Sequence, residues 1–137
     1  MTIGVNADAR RIAQALTLPE YLEAWLCLPD RSPESHLVAS QNPDGYRLDA
    51  NSDGRVAVRI IASYCFQHQR KMRLLWRKVC ALNYTESIVD FRVRGNFGAS
   101  VLELNHAGFD SAGEYLWGQE LWRASLARLS SLFLPLS

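Results

Sequence analysis

Apolar residues recur with a helical period towards the end of the chain. From Ser111 to Leu134, steps of about 100° per residue place Tyr115, Trp122, Leu126, Leu129 and Phe133 in one stripe. Glu120, Ala124, Arg128 and Ser131 fall opposite. Ser111 and Glu114 have the spacing of a capping box, in which each side chain bonds the other's free backbone N–H. Pro135 is expected to stop this helix. The same period occurs in two shorter runs near the start. One helix is predicted near Ala7 to Leu16, capped by Asn6 or Asp8, with Ile12 and Leu16 one turn apart. A second is predicted to begin at Thr17-Leu18-Pro19, with Thr17 as cap and Pro19 in the first turn. Leu22, Trp25 and Leu26 form its inner face, and Pro29 ends it. Met1 to Asn6 reads as a short strand.

After the polar connection Asp30 to Ser35 the period changes to two. His36 to Gln41 and Tyr46 to Ala50 are predicted strands around the turn Asn42-Pro43-Asp44-Gly45. Asn51-Ser52-Asp53-Gly54 is the next turn. Arg55 to Phe66 alternates most clearly. Val56, Val58, Ile60, Ala62, Tyr64 and Phe66 are expected to face the core, against Arg55, Ala57, Arg59, Ile61, Ser63 and Cys65. Gln67 to Lys71 is a polar turn. Met72 to Val79 follows, with Met72, Leu74 and Trp76 on one face and Arg73 and Arg77 on the other. Glu86 to Arg94 sets Val89, Phe91 and Val93 against Asp90, Arg92 and Arg94. Gly95-Asn96-Phe97-Gly98 reads as a hairpin turn. Ala99 to Gly108 returns with Leu102, Leu104 and His106 on one side and Glu103 and Asn105 on the other.

Strands joined by tight turns imply an antiparallel sheet. A sheet apolar on one face needs a cover, and the C-terminal helix is the element long enough to supply it. The expected fold is therefore α+β: a curved antiparallel sheet wrapped around a long C-terminal α-helix, with two short helices after the first strand. The length, 137 residues, suits one domain spanning 1–137.

Composition changes this picture little. Hydrophobic residues at 48% and charged residues at 21% describe an ordinary globule. A net charge of +1 exerts no general pull towards nucleic acid or membrane. Cys27, Cys65 and Cys80 are odd in number and form no CxxC, which argues against a disulfide framework or a structural zinc site. Buried, reduced thiols are the expectation. MTIGVNADARR lacks the apolar core of a secretory signal, and no apolar run is long enough to span a bilayer. A cytoplasmic location is expected, and the sequon at Asn83-Tyr84-Thr85 has no expected use.

Three segments carry a family resemblance. Ala15-Leu16-Thr17-Leu18-Pro19-Glu20-Tyr21-Leu22-Glu23-Ala24-Trp25 resembles the "ALT-x-P-E-x-L-x-x-W" segment of the START-like, helix-grip (SRPBCC) superfamily. The branch it resembles is that of the activator of the heat-shock-ninety chaperone ATPase. Leu104-Asn105-His106-Ala107-Gly108-Phe109 resembles that branch's "L-T-H-x-G-F", and Glu120 to Leu129 its "GW-x-x-x-L-x-x-L" helix. The resemblance implies a sheet gripping the last helix around a largely apolar cavity. Family members bind lipids, polyketides or other hydrophobic molecules, and a few are cyclases. Leu121 replaces the usual Gly before the helix Trp, which should reduce the space there. Leu18 replaces the usual Asp before the Pro, which weakens that cap, and the first strand is short.

The candidate lining is Trp25, Tyr64, Trp76, Phe91, His106, Tyr115, Trp122 and Leu126: aromatic walls with a few polar tips, suited to a mostly apolar ligand. The same residues would equally fill a solid core. His106 could serve as acid or base, or simply brace the turn into the last helix. No motif places a nucleophile or second titrating group beside it, so no catalytic residue is assigned. No signature surrounds the cysteines. Asp49 to Gly54 matches the opening of a calcium loop, but the twelfth position is Ile60 rather than Glu, so a turn explains it better. Neither a metal nor a cofactor is expected. Arg70, Lys71, Arg73, Arg77 and Lys78 surround Trp76. This could be a nucleic-acid patch, but it reads better as the solvated outer face of two strands and their turn, with charges protecting an edge, and a protein partner suits it better than nucleic acid. Trp117 points away from the main stripe, as a contact for a second copy or under the loop near Asn96-Phe97. The expected function is binding of a small hydrophobic molecule, with no nucleic acid and no membrane span. The rivals are a cyclase- or hydrolase-like enzyme using the same cavity, and a chaperone-associated interaction protein.

Overall fold

The computed structural model describes residues 1–29, 36–52, 54–80, 83–96 and 98–133. β1 (Thr2–Val5) leads into α1 (Ala9–Thr17) and α2 (Pro19–Trp25). Then come β2 (His36–Asn42), β3 (Gly45–Ser52), β4 (Arg55–His68), β5 (Lys71–Cys80), β6 (Asn83–Asn96), β7 (Ala99–Ala107) and α3 (Ala112–Leu132). The strands form one antiparallel sheet in the order β1-β7-β6-β5-β4-β3-β2. From β2 to β7 each strand lies beside the next in sequence. β1 closes the far edge against β7.

The caps explain where the helices begin. Asp8 Oδ1 accepts the Arg11 N–H at 2.9 Å and starts α1. Thr17 does not cap α2 as expected. It ends α1, where its hydroxyl donates to the Ala13 carbonyl at 2.8 Å. Leu18 stands at the cap position with no side-chain bond, and Pro19 tolerates this because it has no N–H to satisfy. α2 stops at Trp25, before Pro29, with Leu26 as its C-cap. At α3 the box is half closed: Ser111 Oγ accepts the Glu114 N–H at 3.1 Å. The Glu114 carboxylate turns instead to Lys78 Nζ, 3.2 Å from each oxygen. Pro135, Phe97 and Asp30 to Ser35 lie outside the described residues.

β4 corrects one expectation. Val58, Ile60 and Ala62 are buried as the alternation predicts, but Val56 and Phe66 are 45% and 47% exposed. The register shifts near both ends of the strand. Ala50 pairs with Val58 and Asn51 with Val56, and Tyr64 pairs with Leu74 and Phe66 with Arg73. Each shift leaves one residue unpaired and turns what lies beyond it to the other face. At the β2–β3 turn Asn42 Oδ1 accepts the Asp44 N–H. Gly45 has no substitute there, because a Cβ would lie 1.9 Å from the Ala62 carbonyl oxygen.

The core lies between the sheet and the helices. Leu121, Trp122, Leu126 and Leu129 of α3, with Phe133 just after it, meet Ile12, Leu16, Leu22 and Trp25 of the short helices and the inner residues of the strands. Glu120, Ala124, Arg128 and Ser131 face solvent, as the stripe requires. Polar bonds tie the layers together. Ser125, wholly buried in α3, accepts the Cys27 N–H at 2.9 Å. Trp25 Nε1 donates to the Ala15 carbonyl. Helix side chains also cap both sheet edges: Glu23 accepts the Ala39 N–H of β2, and Ser130 Oγ donates to the Gly4 carbonyl of β1.

Candidate ligand site between the sheet and the last helix

Trp122 of α3 is the hub of the interior. Its ring centroid lies 5.2 Å from Trp76, 5.8 Å from Phe91, 6.0 Å from His106 and 6.2 Å from Trp25. Trp25 and Trp122 are 1% exposed and Trp76 2%, so these rings are packed almost wholly against one another and their neighbours. Phe91 and Leu126 are also buried. At these side chains the expected space is taken up by the rings themselves. Leu121, wholly buried, contributes to the same filling.

His106 connects this cluster to the sheet. Trp122 Nε1 donates to His106 Nδ1 at 2.9 Å, and His106 Nε2 lies 2.6 Å from Ser87 Oγ. An indole N–H can only donate, so Nδ1 accepts and the proton of the neutral ring sits on Nε2, donated to Ser87. A general base acting on the Ser87 hydroxyl would need the opposite tautomer, with its proton on Nδ1. The Trp122 N–H occupies that position. Burial lowers the His106 pKa from 6.5 to about 4, which keeps the ring neutral. The arrangement is a brace between strand and helix.

Two polar atoms of the interior, Tyr64 Oη and Trp76 Nε1, are buried and have no hydrogen-bond partner. The Tyr46 hydroxyl approaches Trp76, but no bond of good geometry reaches the indole nitrogen. Tyr46 and Tyr64 meet edge to face at 6.4 Å. Burial raises the pKa of both phenols, so both hydroxyls stay protonated.

Phe109, on the connection into α3, closes the end of this interior. Its ring lies 4.3 Å from the His106 ring and rests where Gly118 leaves a gap. A Cβ at Gly118 would meet the Phe109 ring at 2.7 Å. Two small hollows flank it. One, about 60 Å³, lies among Leu104, His106, Gly118 and Trp122. The other, about 10 Å³, lies among Trp76, Lys78, Ser87 and Glu114. Phe109 and His106 border both.

Tyr115 stands apart from the other seven candidates. It is 49% exposed and packs edge-on against Phe109, which occupies the space beside Gly118. Sequence reasoning missed Ser87, although it continues the inward alternation of Val89 and Phe91 two residues further back. It also passed over Phe109 and Gly118, because a one-residue notch leaves no periodic trace.

The remaining candidates fall elsewhere. The three cysteines are free and none is fully buried as expected: Cys27 and Cys80 are half-buried, and Cys65 is exposed, being the unpaired residue of its bulge. Asp49, Asn51 and Ser52 lie on β3 rather than in a loop, and Asp49 is paired with Arg59 at 2.7 Å and Arg47 at 3.4 Å. The basic cluster does not surround an accessible Trp76. Nor is β5 an edge, being the fourth of seven strands. Lys78 turns inward, its ammonium 3.9 Å from the Trp117 ring centre. Among the described residues no helix is long and apolar enough to cross a membrane.

No protein-family model and no curated protein matches the sequence. Solved structures do match in fold. The AHSA1 protein from Silicibacter pomeroyi is 14% identical, with a TM-score of 0.71 over 96% of this chain and 95% of that one. The Aha1 dimer from Colwellia psychrerythraea is 13% identical, with a TM-score of 0.66 over 97% and 92%. A START superfamily protein from Mycobacterium smegmatis is 14% identical, with a TM-score of 0.62 over 97% and 94%. A curved antiparallel sheet closed on a long C-terminal helix is common ground with all three, and the chain has the START-like, Aha1-type helix-grip fold.

Proposed function

We propose that this chain acts as one domain, in the cytoplasm, and binds a small, mostly apolar molecule between the sheet and the N-terminal half of α3 without transforming it. The observation that carries the reading is the pair of unpartnered polar atoms, Tyr64 Oη and Trp76 Nε1, inside an aromatic interior. A buried donor without a partner costs roughly 1–3 kcal/mol, and a folded protein tolerates few of them. A polar group on a ligand would satisfy either atom while the ligand's apolar body replaced ring contacts. The filled interior requires that something move first. Phe109 is the side chain placed to do so, since its outward swing would join the two hollows. Gly108, at φ 84°, lies beside it in the connection.

Native mass spectrometry of freshly purified protein tests this directly. A co-purifying small molecule, absent from Trp76→Phe, supports the proposal. No bound molecule, together with a Tm unmoved across a panel of lipids and aromatic polyketides, overturns it.

A second reading rests on Leu116. It is 64% exposed beside the half-exposed Tyr115 on α3, and one structure of this fold is a dimer. On this reading the face meets a second copy, and Leu116→Lys shifts sedimentation from dimer to monomer. Wild-type protein that sediments as a monomer at high concentration ends it.

A further inference from the structure

A hollow bordered by Phe66, Lys71, Arg73, Asp90, Arg92 and Glu103 lies on the opposite face of the sheet from the aromatic interior. It is open and holds about 510 Å³, within the usual range of small-molecule sites. Register fixes its floor. Lys71 pairs with Arg92 and Arg92 with Glu103, while Phe66 pairs with Arg73 and Arg73 with Asp90. Both rows point away from Met72, Phe91 and Leu104, which face the core. Phe66 is there because of the bulge at Cys65; unbroken alternation would have turned it inward.

The charges in this hollow do not cancel locally. Asp90 is held by Arg73, with Nε–Oδ1 at 2.7 Å and a second bond at 3.3 Å. Glu103 is held by Arg94. Lys71 and Arg92 face each other directly across the strands, and among the described residues neither forms an ion pair. Like charges opposite one another destabilise a sheet. These two sit on central strands, so protection of a sheet edge does not explain them.

We propose that this hollow binds a small aromatic anion, a carboxylate or phosphate on a flat ring. The anionic group sits between the Lys71 ammonium and the Arg92 guanidinium, and the ring lies against Phe66. Arg presents a planar fork to such oxygens and Lys a point charge, so the two supply complementary contacts. The exposed Phe66 face offers stacking area at little entropic cost.

Titrating the protein with 1-naphthyl phosphate and with 1-naphthoate, followed by amide NMR shifts and calorimetry, tests the assignment. The expected result is saturable binding of at least one probe, with shifts centred on Lys71, Arg92 and Phe66. Arg92→Gln or Phe66→Ala should weaken it by about tenfold or more, while Arg77→Gln, on the same face and paired with Glu86, leaves it unchanged. Which naphthyl probe binds more tightly distinguishes phosphate from carboxylate recognition. Inorganic phosphate binding as well as 1-naphthyl phosphate, or equal loss in Arg77→Gln and Arg92→Gln, overturns the proposal, because either marks unspecific charge attraction. Binding of a short single-stranded oligonucleotide without binding of the naphthyl probes overturns it as well. Failure here leaves the interior site untouched, since the two lie on opposite faces of the sheet.

Discussion

Single atoms decide what His106 can do. Its folded pKa of about 4 lies below the ordinary 6.5, so the unfolded chain takes up a proton first as pH falls. The stabilising contribution is complete above pH 6.5 and is lost as pH falls towards 4. The difference amounts to about 3 kcal/mol. Urea unfolding from pH 7 to 5 should show falling stability in the wild type and a flatter profile in His106→Gln, whose amide can both accept from Trp122 and donate to Ser87. Tyr64→Phe removes an unpartnered hydroxyl and should raise stability by about 1 kcal/mol in thermal unfolding; a loss would show that ordered water satisfies that hydroxyl. Gly118→Ala should destabilise the wild type by displacing Phe109, yet add about 1 kcal/mol in a Phe109→Ala background, where helix propensity alone remains. At this scale the sequence was partly legible. Trp25, Trp76, Phe91, Trp122 and Leu126 were identifiable as inward residues from period alone. Partners such as Ser87 for His106 and Phe109 for Gly118 were not, because those contacts join separate elements through geometry that no local pattern encodes.

The helices and strands were more legible than their faults. Alternation located β2 to β7, and Asn42-Pro43-Asp44-Gly45 located a turn. The register shifts in β4 were invisible, since Val56 and Phe66 continue the alternation in sequence while the backbone breaks it in space. The α3 stripe held from Trp122 to Phe133 and failed at Tyr115, where the incoming connection inserts Phe109. Leu121 is the element-scale test of the filled interior. Leu121→Gly should cost about 3–5 kcal/mol by chemical denaturation, through the lost side chain, the cavity and the flexible residue within a helix. If the protein survives, the space created should raise its affinity for apolar probes.

For the whole molecule, the helix and the sheet each supply what the other lacks. Truncation after Asp110 removes Leu121, Trp122, Leu126, Leu129 and Phe133 from the core and should abolish cooperative unfolding by calorimetry. The interior cluster has a further consequence, in light absorption. Three indoles, Trp25, Trp76 and Trp122, are separated by 6.2 and 5.2 Å and tilted by 32° and 38° to one another. Transition dipoles that close and that oblique mix their excited states, so the trio should give a paired positive and negative band in ultraviolet circular dichroism. The chain thus carries a built-in optical gauge of whether its last segment is seated, one that needs no dye and that single Trp→Phe changes should dismantle.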